Sequence, residues 1–178
     1  MNKKLLIVVD MLKGFAYEGP LASEKVAEVI PTIANMVQEF DHNLFVADHH
    51  YEDDLEMKIY PLHCLGNDTE SEIVDELKPF VQNIVYKNTT DSIWAIPIKT
   101  WDMYDEFHIV GCCTDICILQ LVLSLRTYLN SIKADKNIIV YSNAVATYDS
   151  PDHQAELYHD MALNLMKNAG VKIKEWEM

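Results

Sequence analysis

Short apolar runs that end on charged or glycine residues alternate with stretches of helical spacing along the chain. Lys4 to Val9 (KLLIVV) ends at Asp10 and reads as a buried strand. From Ser23 to Phe40, Val26, Val29, Ile30, Ile33, Met36 and Val37 recur at helical intervals, with Ser23 placed as an N-cap. Asn43 to Ala47 (NLFVA) is a second strand and again stops at an acid, Asp48. Asp53 to Asp68 has no periodicity and reads as a loop, and Glu70 to Leu77 as a short helix. Asn83 to Tyr86 is a third strand, followed by Lys87, and Glu106 to Val110 a fourth, followed by Gly111. Thr114 to Leu129 is apolar and long enough for a mostly buried helix. Asn137 to Tyr141 is a fifth strand. Pro151 to Asn168 reads as a helix with Ser150 as N-cap, Pro151 at its first position and Gly170 past its end. Val171 to Ile173 is a short sixth strand.

Strands without polar alternation belong to a sheet covered on both faces. Helices between them imply right-handed crossovers. The expected fold class is therefore α/β: a three-layer, doubly wound, mainly parallel sheet of about six strands with helices on both faces. No repeat, linker or low-complexity tract divides the chain, and 178 residues suit one domain.

In such a sheet the site lies beyond the carboxyl ends of the strands. Asp10, Asp48, Lys87 and the segment Gly111 to Cys117 all fall there. An acid, a second acid, a base and a cysteine cluster are thus expected at one edge. In GCCTDIC, Thr114 can cap the following helix and put Cys117 in its first turn, where the helix dipole lowers a thiol pKa. A small buried cysteine on an apolar helix accounts for that segment equally well. Asp48-His49-His50, Glu56 and His63 add two or more imidazoles and one or two carboxylates in one loop, a set that suits zinc, iron or manganese. A polar loop of an acidic protein is the simpler account of the histidines alone.

Composition narrows the partners. Fourteen basic residues against 28 acidic ones give a net charge of -14, which disfavours nucleic acid and anionic membrane surfaces. No apolar run approaches the ~18 residues of a membrane span, and the five apolar residues before Asp10 are too few for a secretory signal. The cysteines Cys64, Cys112, Cys113 and Cys117 form no disulfide framework, so a reducing cytoplasmic setting is expected.

Five segments in order resemble the isochorismatase-like cysteine hydrolase superfamily, and within it the nicotinamidases: LLIVVDMLKGF, DHH with YPLH, YKNTTDSIW, GCCTDIC and AVATYDSPDH. The resemblance runs from about Lys4 to Ile173, so residues 1–178 are expected to form a single hydrolase domain of that type. It implies Cys117 as nucleophile, Asp10 as general base and then acid, and Lys87 as third member of a triad. It further implies an oxyanion hole from the Cys113 and Cys117 amides, with a cis peptide between Cys112 and Cys113. Asp48, His50 and His63, with Glu56 in some relatives, would bind a divalent metal, zinc first, iron or manganese otherwise. Phe15, Tyr60 and Cys113 would line the substrate pocket. The implied reaction is conversion of nicotinamide to nicotinate and ammonia through a cysteine thioester. The implied partner is a small-molecule amide, and a homo-oligomer is expected because relatives often associate. The sequence departs from the family pattern at Leu12, where glutamine is usual, at Tyr60, where tryptophan is common, and at the Cys112-Cys113 pair. These changes touch pocket lining, so the alternatives are another small amide or ureido compound, metal-free vinyl-ether hydrolysis of isochorismate, or a silent interaction module.

Overall fold

The computed structural model describes residues 2–66 and 68–177. Six strands form one sheet: β1 (Lys4–Val9), β2 (Asn43–Asp48), β3 (Ile84–Lys87), β4 (Glu106–Cys112), β5 (Asn137–Ala146) and β6 (Lys172–Lys174). Their order across the sheet is β3-β2-β1-β4-β5-β6, and every ladder is parallel. The direction of winding reverses between β1 and β4. That reversal opens a crevice at the carboxyl ends of these two strands. The expected α/β class is what the structure has.

The helices are α1 (Lys13–Ala16), α2 (Glu24–Glu28), α3 (Ile30–Glu39), α4 (Thr100–Met103), α5 (Leu119–Ser131) and α6 (Ala155–Asn168). Alternation along the strands sends Leu6, Val8, Phe45 and Ala47 to one face, where they meet Ile30, Ile33 and Met36 of α3. Leu5, Ile7, Val9 and Val46 go to the other, against Leu121, Val122 and Leu125 of α5 and Met166 of α6. Both faces are therefore buried, which explains the near-continuous apolar strands.

Four expected elements differ. The helix expected over Ser23 to Phe40 is two helices, broken at Val29. Pro31 has no N–H to give the carbonyl of Ala27, so the first helix cannot run on. Ser23 precedes α2 but makes no side-chain cap. No α-helix forms over Glu70 to Leu77. Thr69–Ser71 is a single turn capped by Asp68, after which Ile73 bridges Leu12 and Val74 donates to the Met11 carbonyl. The last long helix starts at Ala155, not Pro151. Ser150 and His153 instead exchange two backbone hydrogen bonds, and Asp149 caps the Ala155 amide at 3.0 Å. Finally, the helix expected from Thr114 begins as a π-helical turn, Thr114–Ile118, before α5. The short helices α1 and α4 lay in stretches with no periodic signal.

Gly111 shows why β4 ends as it does. Its φ is +117°, and a Cβ there would stand 2.0 Å from the Val9 carbonyl oxygen. Only glycine lets β4 lie this close to β1 at the crevice.

Candidate active site

Strand ladders set the first half of the site. Asp48 and Lys87 are cross-strand partners at the ends of β2 and β3. Asp10 follows β1 at φ +53°, with its amide bonded to the Val46 carbonyl. This left-handed backbone is unusual for a residue with a side chain, and such positions cluster at functional sites. The π-helical turn after β4 brings up Cys117. The carbonyl of Cys113 accepts from the amides of Ile116 and Ile118 and passes over that of Cys117. The peptide between Cys112 and Cys113 is cis.

The side chains meet. Lys87 Nζ lies 2.9 Å from Asp10 Oδ2 and 3.7 Å from Cys117 Sγ, and it also pairs with Asp48 Oδ1. Asp10, Asp48, Lys87 and Cys117 are all buried. Apart from the ion pair with Lys87, neither Asp10 carboxylate oxygen has a hydrogen-bond partner. A buried, unsatisfied carboxylate beside a thiol is placed to take its proton.

Burial and the like charge of Asp48 raise the Asp10 pKa to about 7, against the pull of Lys87. Burial disfavours the Lys87 cation, but Asp10 and Asp48 outweigh it and hold the ammonium charged far above its ordinary range. Burial also works against the Asp48 anion, yet Lys87 and the neighbouring imidazoles keep it well below the usual carboxylate range. The Cys117 thiol corrects the expectation from the helix dipole. Burial pushes it well above its usual value; Lys87 pulls it down, and the carboxylates of Asp10 and Asp48 work against that pull. The resting cysteine is thus a thiol that needs a base. The capping expected of Thr114 is also absent: its hydroxyl is hydrogen-bonded to His159 Nδ1 at 3.0 Å.

Next to this trio, Asp48, His50 and His63 present ligand atoms that all lie within 4.8 Å of one another. His50 Nδ1–H donates to Asp54 Oδ2 at 3.1 Å and His63 Nδ1–H to the Pro61 carbonyl at 2.7 Å. Both Nε2 atoms are thereby turned toward Asp48, 3.5 Å and 3.8 Å from its oxygens. Orienting the second ring nitrogen in this way is how proteins prepare imidazoles for a metal. The donor set therefore fits a divalent ion. Glu56 is not brought into the set; its carboxylate accepts from the Thr90 amide and hydroxyl.

A cavity of ≈ 360 Å³ opens over these groups. Asp10, Asp48, His63, Cys113 and Cys117 form its floor, and Phe15, Tyr60 and Glu56 part of its wall. Phe15 and Tyr60 both meet the His63 ring edge-on. Parts of the lining were not anticipated, among them Pro20 to Ala22, Thr90, and Tyr148 to Ser150. The last three fall in the quoted AVATYDSPDH segment, which carried no assigned role.

Residues 4–178 match the isochorismatase domain. The chain belongs to the isochorismatase family. It is 25% identical to nicotinamidase 1 of Arabidopsis thaliana, over 94% of this chain and 84% of that one. The crystal structure of a nicotinamidase from Bacillus subtilis superimposes with a TM-score of 0.80 at 25% identity, covering 97% of this chain and all of that one (100%). A Pyrococcus horikoshii pyrazinamidase, solved in complex with zinc, gives 0.78 at 21% identity over 98% and 99% of the two chains. The family read from the five sequence segments is thus the one the whole chain matches. Among the described residues, no helix of this family member is long and apolar enough to cross a membrane.

Proposed function

We propose that the protein hydrolyses nicotinamide to nicotinate and ammonia, with Cys117 as nucleophile, Asp10 as proton carrier and Lys87 as their fixed cation. The observation that carries this reading is the meeting of Asp10, Lys87 and Cys117 under one cavity, beside a pair of imidazoles and a carboxylate. The relatives named nicotinamidase support it.

In this reading the residues divide the reaction among them. Asp10 takes the proton of Cys117, and Sγ forms a bond to the carboxamide carbon. Lys87 stays charged and balances the negative charge passed between Cys117 and Asp10. The amides of Cys113 and Cys117 receive the developing oxyanion; losing one such donor typically costs about 3–4 kcal/mol. Asp10 returns its proton to the nitrogen as the C–N bond breaks, and ammonia leaves. A water then gives a proton to Asp10 and its hydroxyl to the thioester carbon. The acid departs, and Cys117 recovers its proton from Asp10. Asp48, His50 and His63 would hold a divalent ion, zinc by preference, which supplies a Lewis-acidic site for a ring nitrogen or water. Phe15 and Tyr60, set against His63, would flank an aromatic ring.

The cavity's charge favours this substrate over the alternatives. Asp10, Asp48, Glu56 and Asp149 line it, and among the described lining residues there is no lysine or arginine. Lys87 lies beneath and is already paired with two carboxylates. Isochorismate carries two carboxylates and many ureido compounds carry one, whereas nicotinamide is neutral. Turnover of nicotinamide and of a ureido acid, each followed by ammonia, and of isochorismate, followed by the pyruvate its vinyl ether would release, tests the choice. Turnover of nicotinamide alone is expected; preference for either anion would overturn it.

Two further results are expected. Metal content should fall substantially in both His50→Ala and His63→Ala, measured by elemental analysis of purified protein. Retention of full metal content in both would remove the ligand assignment. Second, kcat/KM should decline as pH falls through about 7, because Asp10 must be ionised to accept the thiol proton. The same raised pKa has the opposite sign for stability. Its contribution is fully present below the unfolded carboxyl value, ~3.9, and is lost as pH rises through about 7. A rate profile flat across that range would contradict the assigned base.

A further inference from the structure

His153 lies outside the trio and the metal set, yet it is held more tightly than a surface loop requires. Its ring is buried between two tyrosines. Tyr148 stacks on one face at 4.0 Å and 8°, and Tyr158 on the other at 3.9 Å and 22°. Its edge is equally occupied: Nδ1 is 2.9 Å from the Tyr148 carbonyl and Nε2 is 2.8 Å from Asp115 Oδ2. Both partners are acceptors. The two bonds are therefore made together only when the ring carries both N–H groups, and the cation so formed lies between two aromatic faces.

What this ring joins gives it a role. Asp115 sits in the π-helical turn, two residues before Cys117. Tyr148 lines the cavity wall. Tyr158 belongs to α6. We propose that His153 is a positioning residue: a clasp that ties the cavity wall at Tyr148 to the nucleophile turn through Asp115, and so fixes Cys117 Sγ against the bound amide. The proposal rests on the reading of Cys117 as nucleophile. A second tie, Thr114 hydroxyl to His159 Nδ1, anchors the start of the same turn to α6. With one end held by His159, the Asp115 contact decides how the rest of the turn sits. Misplacing a nucleophile by about 1 Å can cost on the order of 100-fold in rate.

The test uses the full chain loaded with zinc. His153→Phe keeps a stacking ring and loses both hydrogen bonds; Asp115→Asn keeps the shape and removes the charge. In both, kcat for nicotinamide is expected to fall about 10- to 100-fold, with KM within about threefold because Phe15, Tyr60 and His63, which would flank the ring, are untouched. A merely structural role would instead lower the melting temperature and leave kcat per folded molecule intact. Wild-type protein supplies a readout that needs no variant. In ¹⁵N-histidine-labelled enzyme His153 should show two slowly exchanging ring N–H protons, one held by the Tyr148 carbonyl and one by Asp115. A single slow proton, or kcat within about twofold of wild type in both variants, would overturn the clasp. Cys117→Ala run alongside separates the two failures. If it is inactive while the clasp variants are normal, only the clasp is wrong; if it remains active, the nucleophile reading is wrong.

Discussion

Cys117→Ala should release ammonia from nicotinamide on the order of 10⁴- to 10⁶-fold more slowly than the wild type, the scale seen when a covalent nucleophile is removed. The physical reason is the division of labour in the site. Apart from its ion pair with Lys87, the Asp10 carboxylate has no hydrogen-bond partner, and Lys87 holds the charge fixed beside it. Neither can bond to an amide carbon in place of sulfur. A water occupying the vacated space would have to attack the intact amide, a far poorer acceptor than the thioester that water meets in the normal cycle. Serine at the same position should do little better, because its hydroxyl is harder to ionise than a thiol. Substrate affinity is expected to change little, since Phe15, Tyr60 and His63 remain. A steady-state assay of ammonia, with nicotinamide binding measured separately, checks both halves.

The second large effect is on stability. Lys87 is buried between Asp10 and Asp48 and is the only cation in contact with Asp10 among the described residues. Replacing it by methionine leaves the buried Asp10 carboxylate without a counter-charge and takes from Asp48 one of its partners. Breaking a buried pair in this way typically costs about 3–5 kcal/mol. Asp10 offers the site one escape, because it can take up a proton. Without Lys87 to lower it, its pKa in the folded state moves further above the unfolded value. Lys87→Met should therefore regain stability as pH falls and be least stable at alkaline pH. It should also be inactive near neutrality, since a protonated Asp10 cannot accept the thiol proton. Denaturant unfolding at acid and alkaline pH would show this; a loss independent of pH would mean that Lys87 acts only by packing.

The central part of this site could be read before any coordinates. Asp10, Asp48, Lys87 and Cys117 follow apolar runs, and a doubly wound sheet brings the ends of its strands to one edge. The ladder then adds what no run of letters states, that Asp48 and Lys87 are direct cross-strand partners. The direction of the thiol shift was misread because a helix-terminus argument is local. It leaves out burial and the two carboxylates that the sheet brings beside Cys117. The start of α6 was misplaced for a related reason. Ser150 and Pro151 serve a turn as well as a helix start, and the turn wins because His153 is drawn to Tyr148 and Asp115. The cavity wall at Tyr148 had no sequence signal beyond its place in a family-like segment, and the second tie at His159, on α6, had none.

The most direct test is to catch the covalent intermediate. Wild-type enzyme mixed with excess nicotinamide and quenched in acid within a turnover should show, by intact mass, one nicotinoyl group added with loss of one hydrogen. Peptide mapping should place it on Cys117. The adduct should be absent from Asp10→Asn, which cannot deprotonate the thiol. Full ammonia release with no acyl group on Cys117 at any quench time, or the same group on another residue, would contradict the account.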